Sequence, residues 1–161
     1  MKIRLVSDNI EFLVDELGAS LTEVRVPDMN GSTTGVLLSP DARTGGEDPS
    51  YSGRTVAPCC GRIRDAEISI MGKSFRLSEN DGRNHIHGGF GSAALNRWET
   101  VSAGPESACF RIFLPDGLDG YPGNRTVETV YTAGPGSVSI RYSAVSDRPP
   151  GLTVRTTHTG I

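Results

Sequence analysis

The chain has 161 residues and carries 16 Lys and Arg against 19 Asp and Glu, a net charge of −3; this predicts one domain and excludes the clustered basic footprint of a nucleic-acid binder. No apolar run approaches the roughly 20 residues of a membrane helix, and Met1-Lys2-Ile3-Arg4 leads into no signal-peptide core, so neither membrane insertion nor export is expected. The 20 Gly and 10 Pro recur with no fixed period, which points to many short strands joined by turns rather than to a solenoid or a collagen-like repeat.

Taken along the chain, apolar residues recur mostly at period two, and strands are expected at 10–14, 21–26 and 35–38. Residues 11–17 briefly imitate a helical stripe, and Gly18 stops it. Ala66, Ile68 and Ile70 alternate with Glu67, Ser69 and Met71; Gly72 and Lys73 then reverse the chain into Phe75-Arg76-Leu77, a predicted hairpin. Further strands are expected at 98–102, 109–114 and 125–132. Ala133-Gly134-Pro135-Gly136 reads as a turn into Val138, Ile140, Tyr142 and Ala144, and a last strand is expected at 152–156. No segment sustains a helical stripe over three turns. The expected fold class is all-β, an antiparallel β-sandwich or barrel in a single domain spanning 1–161.

Cys59 and Cys60 are adjacent and cannot easily adopt disulfide geometry, and Cys109 leaves the count odd. Reduced thiols and a cytoplasmic location are the expectation. Chemically loaded loops fall at 38–54, 80–96 and 115–124, where a rigid sheet can position binding residues.

Within the second loop runs His85-Ile86-His87-Gly88-Gly89. On extended backbone, residues two apart point the same way, so the two imidazoles can face one ligand or one metal. A cupin-like metal site would add a nearby Glu, but the next acid is Glu99. A sugar- or acid-binding imidazole, a structural histidine and a cupin-like metal ligand all remain open. His158 lies at the end of the last expected strand. Arg62 stands in an uncharged stretch and needs a partner, either a carboxylate of the fold or a ligand. Trp98 can pack in the core or stack on a ligand.

Read together, these segments resemble the aldose 1-epimerase (galactose mutarotase) family. Arg62-Ile63 followed by Asn84-His85-Ile86-His87-Gly88-Gly89-Phe90 is similar to that family's "NRI … NSLHGGF", and Trp98 to its "VW" position. Pro115-Asp116-Gly117 and Gly120-Tyr121-Pro122-Gly123-Asn124 resemble "SPDGEEGYPGN". Ser146-Asp147-Arg148-Pro149 and Thr156-Thr157-His158 resemble "TDKP … TNHSYFNL". The likeness runs over essentially the whole chain.

The resemblance implies a galactose mutarotase-like supersandwich of which this chain forms the N-terminal half. It also implies an isomerase that interconverts the α and β anomers of a free hexose such as galactose or glucose. Ring opening needs a proton delivered to the ring oxygen while another leaves the anomeric hydroxyl; an acid and a base suffice, with no metal or nucleotide cofactor. By the resemblance, His158 is the general acid, His87 the second active-site histidine, and Arg62 the residue holding sugar hydroxyls, with Trp98 beside the substrate. Gly61 replaces the family's Asn before the arginine, and Thr159-Gly160-Ile161 replaces "SYF". The family's substrate-binding aspartate and general-base glutamate lie beyond the matching segment, so the chain alone is expected to be weak or inactive. Self-association, a complementing second half, or a carbohydrate-binding or regulatory role without turnover are the corresponding expectations.

Overall fold

The computed structural model describes residues 1–37 and 51–148, together with the backbone of 155–156. Four strands, β1 (Lys2–Ser7), β2 (Ile10–Asp15), β3 (Ser20–Pro27) and β4 (Thr33–Gly35), form an antiparallel meander in the order β1-β2-β3-β4. The alternation in β2 buries Ile10, Phe12 and Val14 and turns Glu11, Leu13 and Asp15 outward. The helical mimicry over 11–17 thus resolves as strand followed by turn. Gly18 (φ +67°) reverses the chain where a Cβ would meet the Ala94 carbonyl oxygen at 2.8 Å.

Five short strands follow: β5 (Thr55–Val56), β6 (Arg62–Ile63), β7 (Glu67–Ile70), β8 (Lys73–Arg76) and β9 (His85–Ile86). β7 and β8 form the predicted hairpin, but the reversal falls at Met71–Gly72, one residue earlier than the sequence pattern gives. Both residues have positive φ, +50° and +77°, the backbone twist that two-residue hairpin turns require.

A second antiparallel sheet has the order β10-β11-β12-β13, from Glu99–Ala103, Ser107–Leu114, Arg125–Gly134 and Ser137–Ser146. β12 and β13 pair over their full length from Arg125↔Ser146 to Gly134↔Ser137, so Pro135–Gly136 is the whole turn. β14 (Arg155–Thr156) pairs with β5. Residues 38–50, 149–154 and 157–161, including parts of two expected strands and His158, lie outside the described residues.

The two four-stranded sheets pack face to face as a sandwich. Leu5, Phe12, Val14 and Leu21 from the first join Phe110, Ile112, Leu114, Val127 and Tyr131 from the second in one buried cluster. Each such side chain contributes about 1.5–3 kcal/mol by leaving water. The Tyr131 hydroxyl donates to the Ala19 carbonyl at 2.6 Å, a polar tie between the sheets inside the apolar layer. Burial raises the Tyr131 pKa, so the hydroxyl keeps the proton it donates. The short ribbons β6–β9 and β7–β8, with the 115–124 loop, sit beside this sandwich on a smaller core of Ala66, Leu77 and Tyr121. No helix among the described residues is long and apolar enough to cross a membrane.

Candidate functional site

Arg62 and His87 meet at a ladder of only two residue pairs. β6 and β9 pair antiparallel through Arg62↔Ile86 and Ile63↔His85. One step beyond, the His87 amide donates to the Gly61 carbonyl at 3.2 Å, and the Gly61 amide donates to His87 Nδ1 at 3.2 Å. Since Nδ1 accepts, the proton of the neutral ring sits on Nε2. Among the described residues Nε2 takes no hydrogen bond. Burial first, and the Arg62 charge second, push the His87 pKa below 6.5, with Asp81 acting in the opposite sense. His87 is therefore a neutral imidazole at pH 7 with an N–H donor at Nε2.

Arg62 is exposed, not partly buried as its uncharged surroundings suggest, and its Nε donates to Asp81 Oδ2 at 2.6 Å. That contact uses the inner edge of the guanidinium and leaves its terminal amino groups for another acceptor. Tyr51 closes one side of His87, with ring centroids 5.2 Å apart and planes tilted by 46°.

His85 and His87 do not act as a pair. Backbone alternation predicts one shared side, but His87 has φ +53° and leaves the extended conformation. His85 is fully buried, its Nδ1 donating to the Ser78 carbonyl at 2.7 Å and its Nε2 accepting from the Tyr121 hydroxyl at 2.8 Å. Both ring nitrogens are engaged within the protein, so His85 is a structural cross-link between the 77–80 segment and the 115–124 loop. Burial, with Cys59 alongside, raises the Tyr121 pKa and keeps its phenol protonated as the donor. No three metal-ligating side chains gather among the described residues.

Trp98 is 3% exposed, lies in the main core, and donates its indole N–H to the Ala93 carbonyl at 2.8 Å. It packs in the core, one of the two places the sequence leaves open for it, and its indole N–H ties the 92–96 turn to that core. His158, the expected acid, lies outside the described residues.

Polar turns, more than the ladder itself, hold the site in shape. The Asn80 side-chain amide imitates a neighbouring strand, donating to the Ile86 carbonyl at 2.9 Å and accepting from the Ile86 amide at 2.8 Å. Asp119, itself at φ +52°, accepts from Ser78 Oγ at 2.6 Å, the Phe90 amide at 3.0 Å and the Gly91 amide at 2.7 Å. Gly88 and Gly89 allow these approaches. A Cβ on Gly88 would meet the Ala57 carbonyl oxygen at 2.5 Å, and one on Gly89 would collide with the Asp119 carboxyl group. The sequence names neither Asp81 nor Asp119 nor Tyr51 as part of the site. Their only local signals are turn composition around the two acids and a lone aromatic in a polar loop.

Comparison with known proteins shows the family and the fold. The aldose 1-epimerase family model matches residues 1–159. The chain is 34% identical over 143 residues to the aldose 1-epimerase of Haemophilus influenzae, covering 88% of this chain and 41% of that one. It is 31% identical over 157 residues to the galactose mutarotase of Bos taurus, covering 94% and 45%. Among solved structures, the aldose epimerase homologue from C. elegans superposes with TM-score 0.91 at 26% identity, covering all of this chain and 50% of that one. The galactose 1-epimerase from Lactobacillus acidophilus superposes with TM-score 0.75 at 29% identity, covering 91% and 44%. The chain thus spans half or less of the length of each of these relatives.

Proposed function

The chain belongs to the aldose 1-epimerase family, and from that premise we propose that it holds a free hexose, galactose or glucose, against Arg62 and His87. The observation that carries this reading is the β6–β9 ladder, which sets a guanidinium with spare donors next to a neutral imidazole with an outward Nε2–H. Both groups donate hydrogen bonds, and a pyranose offers a rim of hydroxyl oxygens to accept them. Neither donor requires a metal or a nucleotide.

In the catalytic form of this reading His158 delivers a proton to the ring oxygen, the C1–O5 bond breaks as the anomeric hydroxyl loses its proton, and the aldehyde recloses on either face. The step needs a base facing the anomeric hydroxyl. Two carboxylates beside the ladder are committed, Asp81 to Arg62 and Asp119 to the Phe90 and Gly91 amides. This favours a chain that binds sugar and turns it over feebly or, as a carbohydrate-binding or regulatory module, not at all. The three free cysteines are in keeping with a reducing, cytoplasmic setting.

Polarimetry of freshly dissolved α-D-galactose, run beside calorimetric titration with the same sugar, tests the proposal. Saturable binding that Arg62→Ala and His87→Ala each weaken, with little acceleration of mutarotation, is the expected result. Strong acceleration by the chain alone, abolished in His158→Ala, would overturn the view that a base is lacking. Absence of binding to any hexose would overturn the sugar site itself.

A further inference from the structure

We infer that Asp81 is a positioning residue: it fixes the Arg62 guanidinium beside His87 and offsets its charge there, so that the proposed sugar site takes a neutral polyhydroxyl ligand in preference to a phosphorylated one. The inference rests on the proposed sugar site and adds to it the residue that sets how Arg62 is presented and what charge of ligand it meets.

Asp81 is itself held firmly. Its backbone pairs with that of Asn84 in both directions, each N–H donating to the other's carbonyl at 3.1 Å, and Gly82 (φ +63°) lies within the turn so closed. Asn84 is tied in turn to the 64–66 turn that follows β6 through the Asp65 amide, which donates to its Oδ1 at 3.2 Å. The carboxylate therefore stands on a rigid two-residue turn that leads directly into β9, opposite the strand that carries Arg62. A free arginine samples many rotamers, and fixing one costs entropy that a ligand would otherwise have to supply. Contact at Nε fixes the plane of the guanidinium while sparing its outer amino groups, which can fork across two adjacent oxygens.

The pair is exposed, with the Arg62 side chain 66% and the Asp81 side chain 32% accessible. An ion pair so placed contributes little to folding. Its effect lies in orientation and in local charge. The ion pair sets opposite charges close to the imidazole, Arg62 lowering the His87 pKa and Asp81 acting against it to a smaller extent. The groups facing that ring are Arg62, Asp81, the Tyr51 ring and the Gly61 amide. An unbalanced arginine would draw an anion; a balanced one leaves hydrogen bonding to neutral hydroxyls as the main attraction.

The test compares the full chain with Asp81→Asn, a variant that keeps the backbone bridge to Asn84 because main-chain atoms make it. In free protein, the Arg62 Nε–H resonance should be sharp and slowly exchanging in the parent and lost in the variant. In titrations followed at the Gly61 and His87 amides, D-galactose should bind the variant about tenfold more weakly, the effect of removing one charge-assisted hydrogen bond, while galactose 6-phosphate and inorganic phosphate should bind it more tightly. Asp81→Glu should restore part of the galactose affinity. Asp81→Asn added to Arg62→Ala should cause no further loss, since Asp81 acts through Arg62. An unchanged Arg62 resonance, or unchanged galactose and phosphate affinities, would overturn the inference. If the parent binds no hexose but the Arg62 resonance still vanishes in Asp81→Asn, the sugar reading fails and the positioning of Arg62 by Asp81 stands.

Discussion

Gly61 and His87 are joined by two hydrogen bonds of opposite sense, backbone amide to ring Nδ1 and backbone amide to carbonyl, each 3.2 Å long. The arrangement fixes the tautomer of a half-buried imidazole by means of the main chain alone. It works because Gly61 sits at φ +90° and His87 at φ +53°, conformations that bend both chain ends toward each other past the two-residue ladder.

That relationship makes a prediction about protonation. A nitrogen-15 NMR titration should find His87 in the Nε2–H form at neutral pH with a midpoint below 6.5. Arg62→Ala should move the midpoint up, since it removes a lowering charge and leaves the raising one of Asp81. Because the native pKa is depressed, the unfolded chain binds more protons in the window between the two values, so the contribution of His87 is fully present above about pH 6.5 and declines as the pH falls through that window. Chemical denaturation across pH 5–8 should show that slope flattened in His87→Gln.

Gly88→Ala is expected to destabilise the fold by about 2 kcal/mol or more. It would place a Cβ at φ +86°, 2.5 Å from the Ala57 carbonyl oxygen and 2.9 Å from Pro58 Cδ. Gly82→Ala is the control: φ is +63° but nothing lies within 4 Å, so only the backbone penalty of about 1 kcal/mol applies. Urea midpoints that fall equally in the two variants would show that close packing at Gly88 is not what matters.

Tyr121→Phe removes the hydroxyl that donates to His85 Nε2 at 2.8 Å and leaves a buried ring nitrogen without its donor. A loss of about 1–3 kcal/mol is expected in equilibrium unfolding. Cys59→Ala, which removes a thiol interacting with the phenol but leaves the phenol's bond to His85, should cost less than Tyr121→Phe.

Asp119→Ala should release the 88–91 turn, since one carboxylate satisfies two of its amides. Hydrogen exchange at Phe90 and Gly91 should accelerate by at least about tenfold while the β11–β12 amides keep their protection. Uniform acceleration across the whole chain would mean that Asp119 supports the global fold and not this turn.

How much of this was legible in the amino-acid sequence depended on element length. Val127, Thr129 and Tyr131 alternate with Thr126, Glu128 and Val130 over a ten-residue strand, and Pro135-Gly136 marks its reversal, so the β12–β13 hairpin could be read directly. β1 is as long as β2 yet was not predicted, because only Leu5 is fully buried and its flanking residues are mixed. Two-residue strands such as β6 and β9 carry no period at all. Motif resemblance located Arg62 and His87, but alternation wrongly aligned His87 with His85, because a histidine at positive φ cannot be read from spacing. Gly88-Gly89 was the one hint of unusual backbone. The roles of Asp81 and Asp119 depend on contacts 19, 28 and 29 residues away along the chain, beyond the reach of any local pattern.

The smallness of the β6–β9 ladder has a consequence for how such a site changes over generations. Its aim is set by side chains on turns, among them Asn80, Asp81 and Asp119, rather than by the large sheets. If the proposed site holds, a single replacement at one of those turns would redirect ligand preference while leaving the sandwich beneath intact. Innovation at the rim is thereby uncoupled from robustness in the core.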